Sequence, residues 1–191
     1  MEQHNESEIP SYWPSVGVAG LLFGVIFFIV ATGGAYMTIG SEPVGSFFST
    51  QTVGYCLACL LGAFAGMTAI WHYNRETGMK LTLGKGALIG FYSGALIGVI
   101  GTLLSQIWYI IDPAFTEELM NWTIANFEAM DQMPDEQRQA MIDSTYSQFQ
   151  NMHSLWNIVQ GLLMYSIGMG ILNSLSGLLG VMFFARKKED I

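Results

Sequence analysis

A stretch of 26 residues, Gly86 to Ile111, contains no Asp, Glu, Lys, Arg or His. A helix rises about 1.5 Å per residue, so this stretch is long enough to cross a hydrocarbon core of about 30 Å. Glycine recurs in it at every fourth position: Gly86, Gly90, Gly94 and Gly98. In water each of these costs up to about 1 kcal/mol of helix stability relative to alanine, whereas in lipid small residues let two helix backbones approach closely. The stretch therefore predicts a transmembrane helix whose glycine face packs against another helix.

The rest of the chain is also poor in charge, and its charges are grouped between long neutral runs. Of 191 residues 12% are charged, about half the usual fraction for a soluble domain. Runs of 33, 32, 26 and 42 residues lack Asp, Glu, Lys and Arg, and each exceeds the roughly 20 residues that a membrane span requires. We therefore expect one all-α domain over residues 1–191, an integral membrane four-helix bundle with transmembrane helices at about 14–39, 50–73, 86–111 and 154–185. The first run is interpreted as a span rather than a cleaved signal peptide, because it is longer than a signal core and its flank MEQHNESEIP is acidic.

The seven Lys and Arg residues predict the orientation. With four spans, six of them lie on the side of the termini and one on the other: Arg75, Lys80, Lys85, Arg186, Lys187 and Lys188 against Arg138. The positive-inside rule then places both termini in the cytoplasm. Segment 112–153 faces outward with eight acids and one base, and the net charge of −8 for the chain argues against a nucleic-acid partner.

Segment 112–153 is predicted to form an extracytoplasmic hairpin of two amphipathic helices. Pro113 and Pro134 suit helix starts. Mostly apolar residues follow each start at helical spacing: Phe115, Leu119, Trp122, Asn126 and Met130, then Ile142, Tyr146, Phe149, His153 and Trp156. The acid-rich faces are interpreted as solvated, with a cation or a basic partner as the alternative. The acids do not follow the spacing of an EF-hand loop, so calcium binding is not predicted.

The fourth span is the predicted partner of the glycine face. Ser166, Gly170 and Ser174 are spaced four apart in it and are expected at the helix contact. Gln106, Asn157 and Gln160 fall at one depth, roughly 5–9 Å from the outward ends of the third and fourth spans by helical rise. Two interpretations stay open: a shallow polar pocket open to the outside, or hydrogen bonds between helices at about 0.6 kcal/mol per pair. No span carries Asp, Glu, Lys or Arg in its middle, which argues against an ion-coupled transporter or a proton pump.

Cys56 and Cys59 form a CxxC motif within the second predicted span. Elsewhere this motif marks thiol redox chemistry or half a zinc site. Here both thiols lie in an apolar helix, where a thiol is inert, and the chain has only two cysteines. We therefore interpret them as packing residues, predict no metal and no cofactor, and keep membrane thiol oxidoreduction as a remote alternative.

Three sequence motifs resemble a known family: GMKLTLGKGALIG (78–90), WYIIDPAFTEELM (108–120) and MPDEQ (133–137). With the four-span layout, they resemble a bacterial family of multi-pass inner-membrane proteins that is a domain of unknown function and is typical of Bacteroidetes-type genomes. The resemblance covers about residues 70–188. It implies four helices and a bacterial inner-membrane location, and it implies no catalytic or binding residues.

The leading functional prediction is a non-enzymatic membrane protein that acts as an accessory or assembly subunit or as a homo-oligomer. Its expected partners are the lipid bilayer and other membrane subunits or a second copy of itself. The reason is the abundance of small residues at four-residue spacing on the spans, together with the lack of a reactive cluster. The alternative is a module that binds or transports a small polar or lipid-like ligand through Gln106, Asn157 and Gln160.

Overall fold

The computed structural model describes residues 10–79 and 81–184. These residues form seven helices and no strand: α1 (Trp13–Ile39), α2 (Thr50–Gly62), α3 (Ala65–Thr77), α4 (Leu83–Ile111), α5 (Ala114–Glu128), α6 (Asp135–Asn151) and α7 (Leu155–Phe184). Four helices are long and apolar enough to cross a membrane: α1, α2 and α3 taken together, α4, and α7. The predicted all-α class with four such helices is confirmed. The acidic tail 1–9 and four of the seven bases that predict the orientation, Lys80, Arg186, Lys187 and Lys188, lie outside the described residues.

Local sequence signals set several helix ends. The hydroxyl of Thr82 accepts a hydrogen bond from the backbone N–H of Lys85 at 3.4 Å and caps the start of α4. At its other end α4 stops at Asp112, because the following Pro113 cannot continue the helix. Gly78 ends α3 in the left-handed conformation, with φ of +65°.

The long helices are arranged around α4, which makes its most extensive contact with α7. On its other side α4 packs against α1, and α1 packs against α2. Near the middle of the group α3 contacts α7, α4 and α1, whereas α2 contacts chiefly α1 and barely touches α7. The two halves of the second span therefore have different neighbours.

The second predicted span is broken at Ala63 and Phe64, where we expected an uninterrupted helix. The break leaves the first backbone N–H groups of α3 without partners in their own helix, and α7 supplies acceptors for two of them. The side-chain oxygen of Asn173 accepts from Gly66 at 2.8 Å, and the hydroxyl oxygen of Ser176 accepts from Met67 at 2.9 Å. An unpaired buried amide would cost several kcal/mol in apolar surroundings. The acceptors on α7 therefore offset the energetic cost of the break.

The glycine face of α4 lies directly against α7. A Cβ atom at Gly90 would overlap the carbonyl oxygen of Asn173, and one at Gly94 would overlap that of Met169. Gly86 and Gly98 are equally tight, against Val181 and against the backbone at Ser166. At Gly90, Gly94 and Gly98 the two backbones thus touch without intervening side chains, as small residues permit.

The other two predicted packing residues lie beside this contact. Gly170 of α7 faces the ring of Phe91 on α4. Ser174 is half-buried, and its hydroxyl donates to the carbonyl oxygen of Gly170 within α7 at 3.0 Å. At Gly90 and Gly94 the residues of α7 that meet α4 are instead Asn173 and Met169, each one position before a predicted residue, whereas the predicted Ser166 does meet Gly98.

At one end of the long helices, called the hairpin end from here on, α5 and α6 pack against each other and α5 contacts α1. Asn126 and Trp122 of α5 attach the loop between α1 and α2. The side-chain oxygen of Asn126 accepts from the N–H of Gly45 at 3.0 Å, and Trp122 Nε1 donates to the carbonyl oxygen of Ser41 at 2.8 Å. Gly45 has φ of +66°, and a Cβ there would overlap the carbonyl oxygen of Ala129, so the contact requires glycine.

Candidate functional site

A cavity of about 180 Å³ lies between α1, α2, α4 and α7 near the hairpin end. Its walls are largely aromatic and aliphatic, and α5 covers it with Phe115 and Leu119, which are both buried. Trp108 of α4 and Phe27 of α1 contribute further apolar surface. The cavity is therefore a mainly apolar site of the kind that holds small molecules.

Eight polar side chains also line the cavity, and within residues 10–79 and 81–184 none of its lining residues is charged. The eight are Thr32, Tyr55, Thr102, Ser105, Gln106, Tyr109, Asn157 and Tyr165. The hydroxyl of Ser105 donates to the carbonyl oxygen of Gly101 at 2.9 Å, and the amide nitrogen of Asn157 donates to that of Asn151 at 2.7 Å. The oxygen atoms of Ser105 and Asn157 thus keep acceptor capacity for a ligand.

Two of the three predicted pocket residues, Gln106 and Asn157, line this cavity, while Gln160 is exposed and is not among its lining residues. On α7 the cavity face repeats every fourth residue, through Asn157, Gly161, Tyr165 and Met169. Successive residues are about 100° apart around a helix, so position 160 lies about 120° from the middle of that face. Thr32 of α1 also lines the cavity, whereas Tyr36 and Cys56 do not.

Sequence reasoning missed most of the hydroxyl groups, although α4 carries a signal for them. The signal consists of Thr102 and the residues three, four and seven positions after it, Ser105, Gln106 and Tyr109. This spacing places all four on one helix face. That face is the one that meets the cavity. A polar stripe at this spacing inside a charge-free span predicts a polar surface that does not face lipid.

Tyr36 and Asp112 hold the start of α5 over the cavity. The hydroxyl of Tyr36 donates to the Asp112 carboxylate, and Trp108 Nε1 donates to the Tyr36 oxygen at 3.0 Å. The second carboxylate oxygen of Asp112 accepts from the backbone N–H of Phe115 at 3.3 Å. The same carboxylate therefore links α1 to the first turn of the helix that covers the cavity.

A second, more open groove of about 300 Å³ lies on the other side of α5, against the end of α6. Tyr109 lines both cavities. The groove carries Glu117 and His153, and the His153 ring packs edge-on against Tyr109 with 5.3 Å between centroids. It differs from the first cavity in carrying a carboxylate and an imidazole and in being more open.

The two cysteines occupy different surroundings on α2. Cys56 is exposed, Cys59 is half-buried, and the two thiols are not bonded to each other. Cys59 lies one helical turn from Tyr55, on the same face of α2. Thiol oxidoreduction through this pair stays a prediction.

The fold and the cavity define a class: an all-helical protein with four helices able to cross a membrane and an uncharged, hydroxyl-rich cavity between them. The chain belongs to the family described as "Protein of unknown function (DUF4199)", which matches residues 19–184. The predicted membership of a family of unknown function is confirmed, and the match reaches into α1 and α2, where the motifs gave no specific resemblance. No curated protein and no solved structure matches the chain.

Proposed function

We propose that the chain is a non-enzymatic membrane protein that binds a small, uncharged molecule bearing hydroxyl or carbonyl oxygens. The observation that supports this is the cavity of about 180 Å³ lined by eight polar but uncharged side chains. Hydroxyl and amide groups both donate and accept hydrogen bonds, so they suit a ligand with oxygen functions. This favours the ligand-binding alternative over an assembly role.

The charge and the size of the ligand follow from the cavity. An ionised group placed there would lose its hydration without gaining a counter-ion, which is costly. An engineered cavity of about 150 Å³ holds benzene, so a cavity of about 180 Å³ suits a substituted six-membered ring or a group of similar bulk.

Acid–base catalysis needs a positioned group that titrates near neutral pH, and the described lining residues offer only hydroxyls, amides and apolar groups.

The proposed setting is a bacterial inner membrane with both termini in the cytoplasm. The resemblance of the motifs supports the bacterial origin. Arg75 and Lys85 flank the loop between α3 and α4, whereas the opposite ends of the helices carry the acid-rich segment 112–153. This asymmetry supports a cytoplasmic position for that loop and for the termini.

The test uses 4-fluorophenol, a ring with one hydroxyl that is uncharged at neutral pH. Binding to the full chain in detergent is followed by broadening of the fluorine NMR signal, with protein-free micelles as the blank. Thr102→Trp fills the cavity and should weaken binding by at least about ten-fold, or about 1.4 kcal/mol. Leu103→Trp is the matched control, because Leu103 is the adjacent residue of α4 and is exposed. Equal binding by both variants and the unchanged chain would refute the proposal.

A second candidate is the accessory-subunit or homo-oligomer role. Its support is exposed small-residue surface: Gly33 of α1 and Gly168 of α7 have no atom within 4 Å of a Cβ placed on them. Such positions allow close approach of a further helix in lipid. Gly168→Leu should then reduce self-association or partner recovery in mild detergent, while Ile167→Leu, on the adjacent exposed residue, should not. A chain that is strictly monomeric and recovers no partner would exclude this candidate.

A further inference from the structure

We propose that the ligand is an uncharged lipid with a single hydrocarbon tail, which reaches the cavity sideways, from the bilayer, between α2 and α7. This rests on the proposed binding function and names its ligand class. The polar head would occupy the cavity, and the tail would pass between the two helices. Three features of the structure support this: the break in the second span, the exposure of two tyrosines and the cover formed by α5.

The side of the cavity between α2 and α7 is its most exposed part. Among its described lining residues only Tyr55 and Tyr165 are exposed, with 39% and 50% of their surfaces accessible. Tyr55 belongs to α2 and Tyr165 to α7, two helices that barely touch each other. The opening therefore lies between these two tyrosines.

The break in the second span explains why this side is open. From the break onwards α3 packs against α7, and the bonds from Gly66 and Met67 to Asn173 and Ser176 fix it there. Toward the hairpin end α2 leans on α1 instead. Gly62, the last residue of α2, still lies against the Met169 methyl group, so α2 and α7 are in contact at the break.

Helix α5 covers the cavity on the side that faces water, whereas the side between α2 and α7 is open to lipid. Phe115 and Leu119 of α5 are buried over the cavity, and the hydrogen bond between Tyr36 and Asp112 holds the start of α5. Beside the gap most exposed side chains of α2 and α7 are apolar, as expected of surfaces that face hydrocarbon. A ligand that partitions into lipid is therefore favoured over a water-soluble one.

The lining of the cavity defines the class of lipid. A phosphate or a quaternary ammonium group would lose its hydration against hydroxyls and aromatic rings with no opposite charge nearby, which disfavours phospholipids. A space of about 180 Å³ holds one head group and leaves no room for chains. The class is thus a neutral amphiphile with hydroxyl or carbonyl oxygens in the head, such as a monoacylglycerol or a tailed quinone.

The first experiment measures displacement of 4-fluorophenol from the full chain in detergent. Two uncharged probes are used, 1-oleoylglycerol and a benzoquinone with a decyl tail, which separate an alcohol head from a quinone head. Lysophosphatidylcholine with the same oleoyl chain is the zwitterionic control, because its head carries an ionised phosphate and a quaternary ammonium. At least one uncharged probe should displace 4-fluorophenol at a concentration about ten-fold below that of the zwitterionic control. Equal displacement by the zwitterionic lipid, or none by either uncharged probe, would overturn the inference.

The second experiment tests the sideways route with the two native cysteines. In Cys56→Ala the half-buried Cys59 is alkylated with N-benzylmaleimide, and in Cys59→Ala the exposed Cys56 is alkylated with the same reagent. Modification of Cys59 should weaken binding of the displacing lipid by at least about ten-fold and leave 4-fluorophenol binding in place, which also shows that the protein remains folded. Modification of Cys56 should change neither. Unchanged lipid binding after modification of Cys59 would refute the route.

The two proposals fail in distinguishable ways. If 4-fluorophenol binds but the lipid experiments do not give the expected results, the lipid class and its route are refuted. The cavity then remains a site that binds small molecules. Lack of 4-fluorophenol binding by the unmodified chain would refute the binding function itself. The lipid comparison on the unmodified chain needs no variant, so it does not depend on how a variant folds.

Discussion

The side-chain oxygen of Asn173 accepts a hydrogen bond from the backbone N–H of Gly66 at 2.8 Å, and Asn173 is completely buried. Its amide nitrogen donates to the carbonyl oxygen of Met169 at 3.0 Å. Its own backbone carbonyl lies against Gly66 and Gly90. One residue of α7 therefore joins α3 and α4 and supplies an acceptor for one of the backbone N–H groups that the break in the second span leaves open.

Replacing Asn173 with Leu should lower the free energy of unfolding by about 1–3 kcal/mol, because the N–H of Gly66 would stay buried without an acceptor. Unfolding is measured by circular dichroism in mixed micelles with a rising fraction of dodecyl sulfate. Ser174→Ala is the matched control, since the Ser174 hydroxyl only bonds within its own helix. A loss no larger than that of the control would show that the bond contributes little.

Gly90→Ala should destabilise the fold by about 1–3 kcal/mol, because the added methyl group would overlap the carbonyl oxygen of Asn173, and a backbone atom cannot rotate away. Gly168→Ala, in the exposed part of α7, should instead gain up to about 1 kcal/mol from helix propensity. The same unfolding assay measures both variants. If the two substitutions have the same sign, the close contact between α4 and α7 is not what requires glycine at position 90.

The sequence contained enough information to predict the long helices, because a charge-free run of more than 20 residues has few other stable states. The break at Ala63 and Phe64 could not be predicted in this way. The local residues are compatible with a continuous helix, and the acceptors that stabilise the break, on Asn173 and Ser176, lie more than 100 positions later in the chain.

The depth of the cavity along the helices could be predicted from the sequence, but the helix faces that line it could not. Helical rise alone placed Gln106, Asn157 and Gln160 at one level, and two of the three line the cavity. Which side chains face inward depends on how each helix is turned. That rotation is set by the glycine contact of α4 with α7 and by the lean of α2 on α1, which are contacts distant in sequence.

The loop between α1 and α2 should loosen when Asn126 is replaced with Ala. Asn126 is buried, and its amide pairs with the backbone at Gly45 and Ser46 on the loop. Loss of these bonds should raise amide hydrogen exchange across residues 41–49 by about five-fold or more, since about 1 kcal/mol of local stability is removed. Asn121→Ala, on the exposed side of the same helix, is the control. Unchanged exchange would mean that Trp122 alone holds the loop.

The proposed orientation predicts opposite labelling of two exposed positions in the Cys56→Ala/Cys59→Ala background. Glu76 lies near the end of α3, beside Arg75, and Gln132 lies in the acidic turn between α5 and α6. Each is replaced with Cys in a separate variant. Because bases are retained on the cytoplasmic side, a membrane-impermeant maleimide should label Gln132→Cys in intact spheroplasts and Glu76→Cys only after lysis. A denatured sample of each variant controls for thiol reactivity. The reverse pattern would invert the orientation and place the cavity near the cytoplasmic surface, without affecting the lateral opening between α2 and α7.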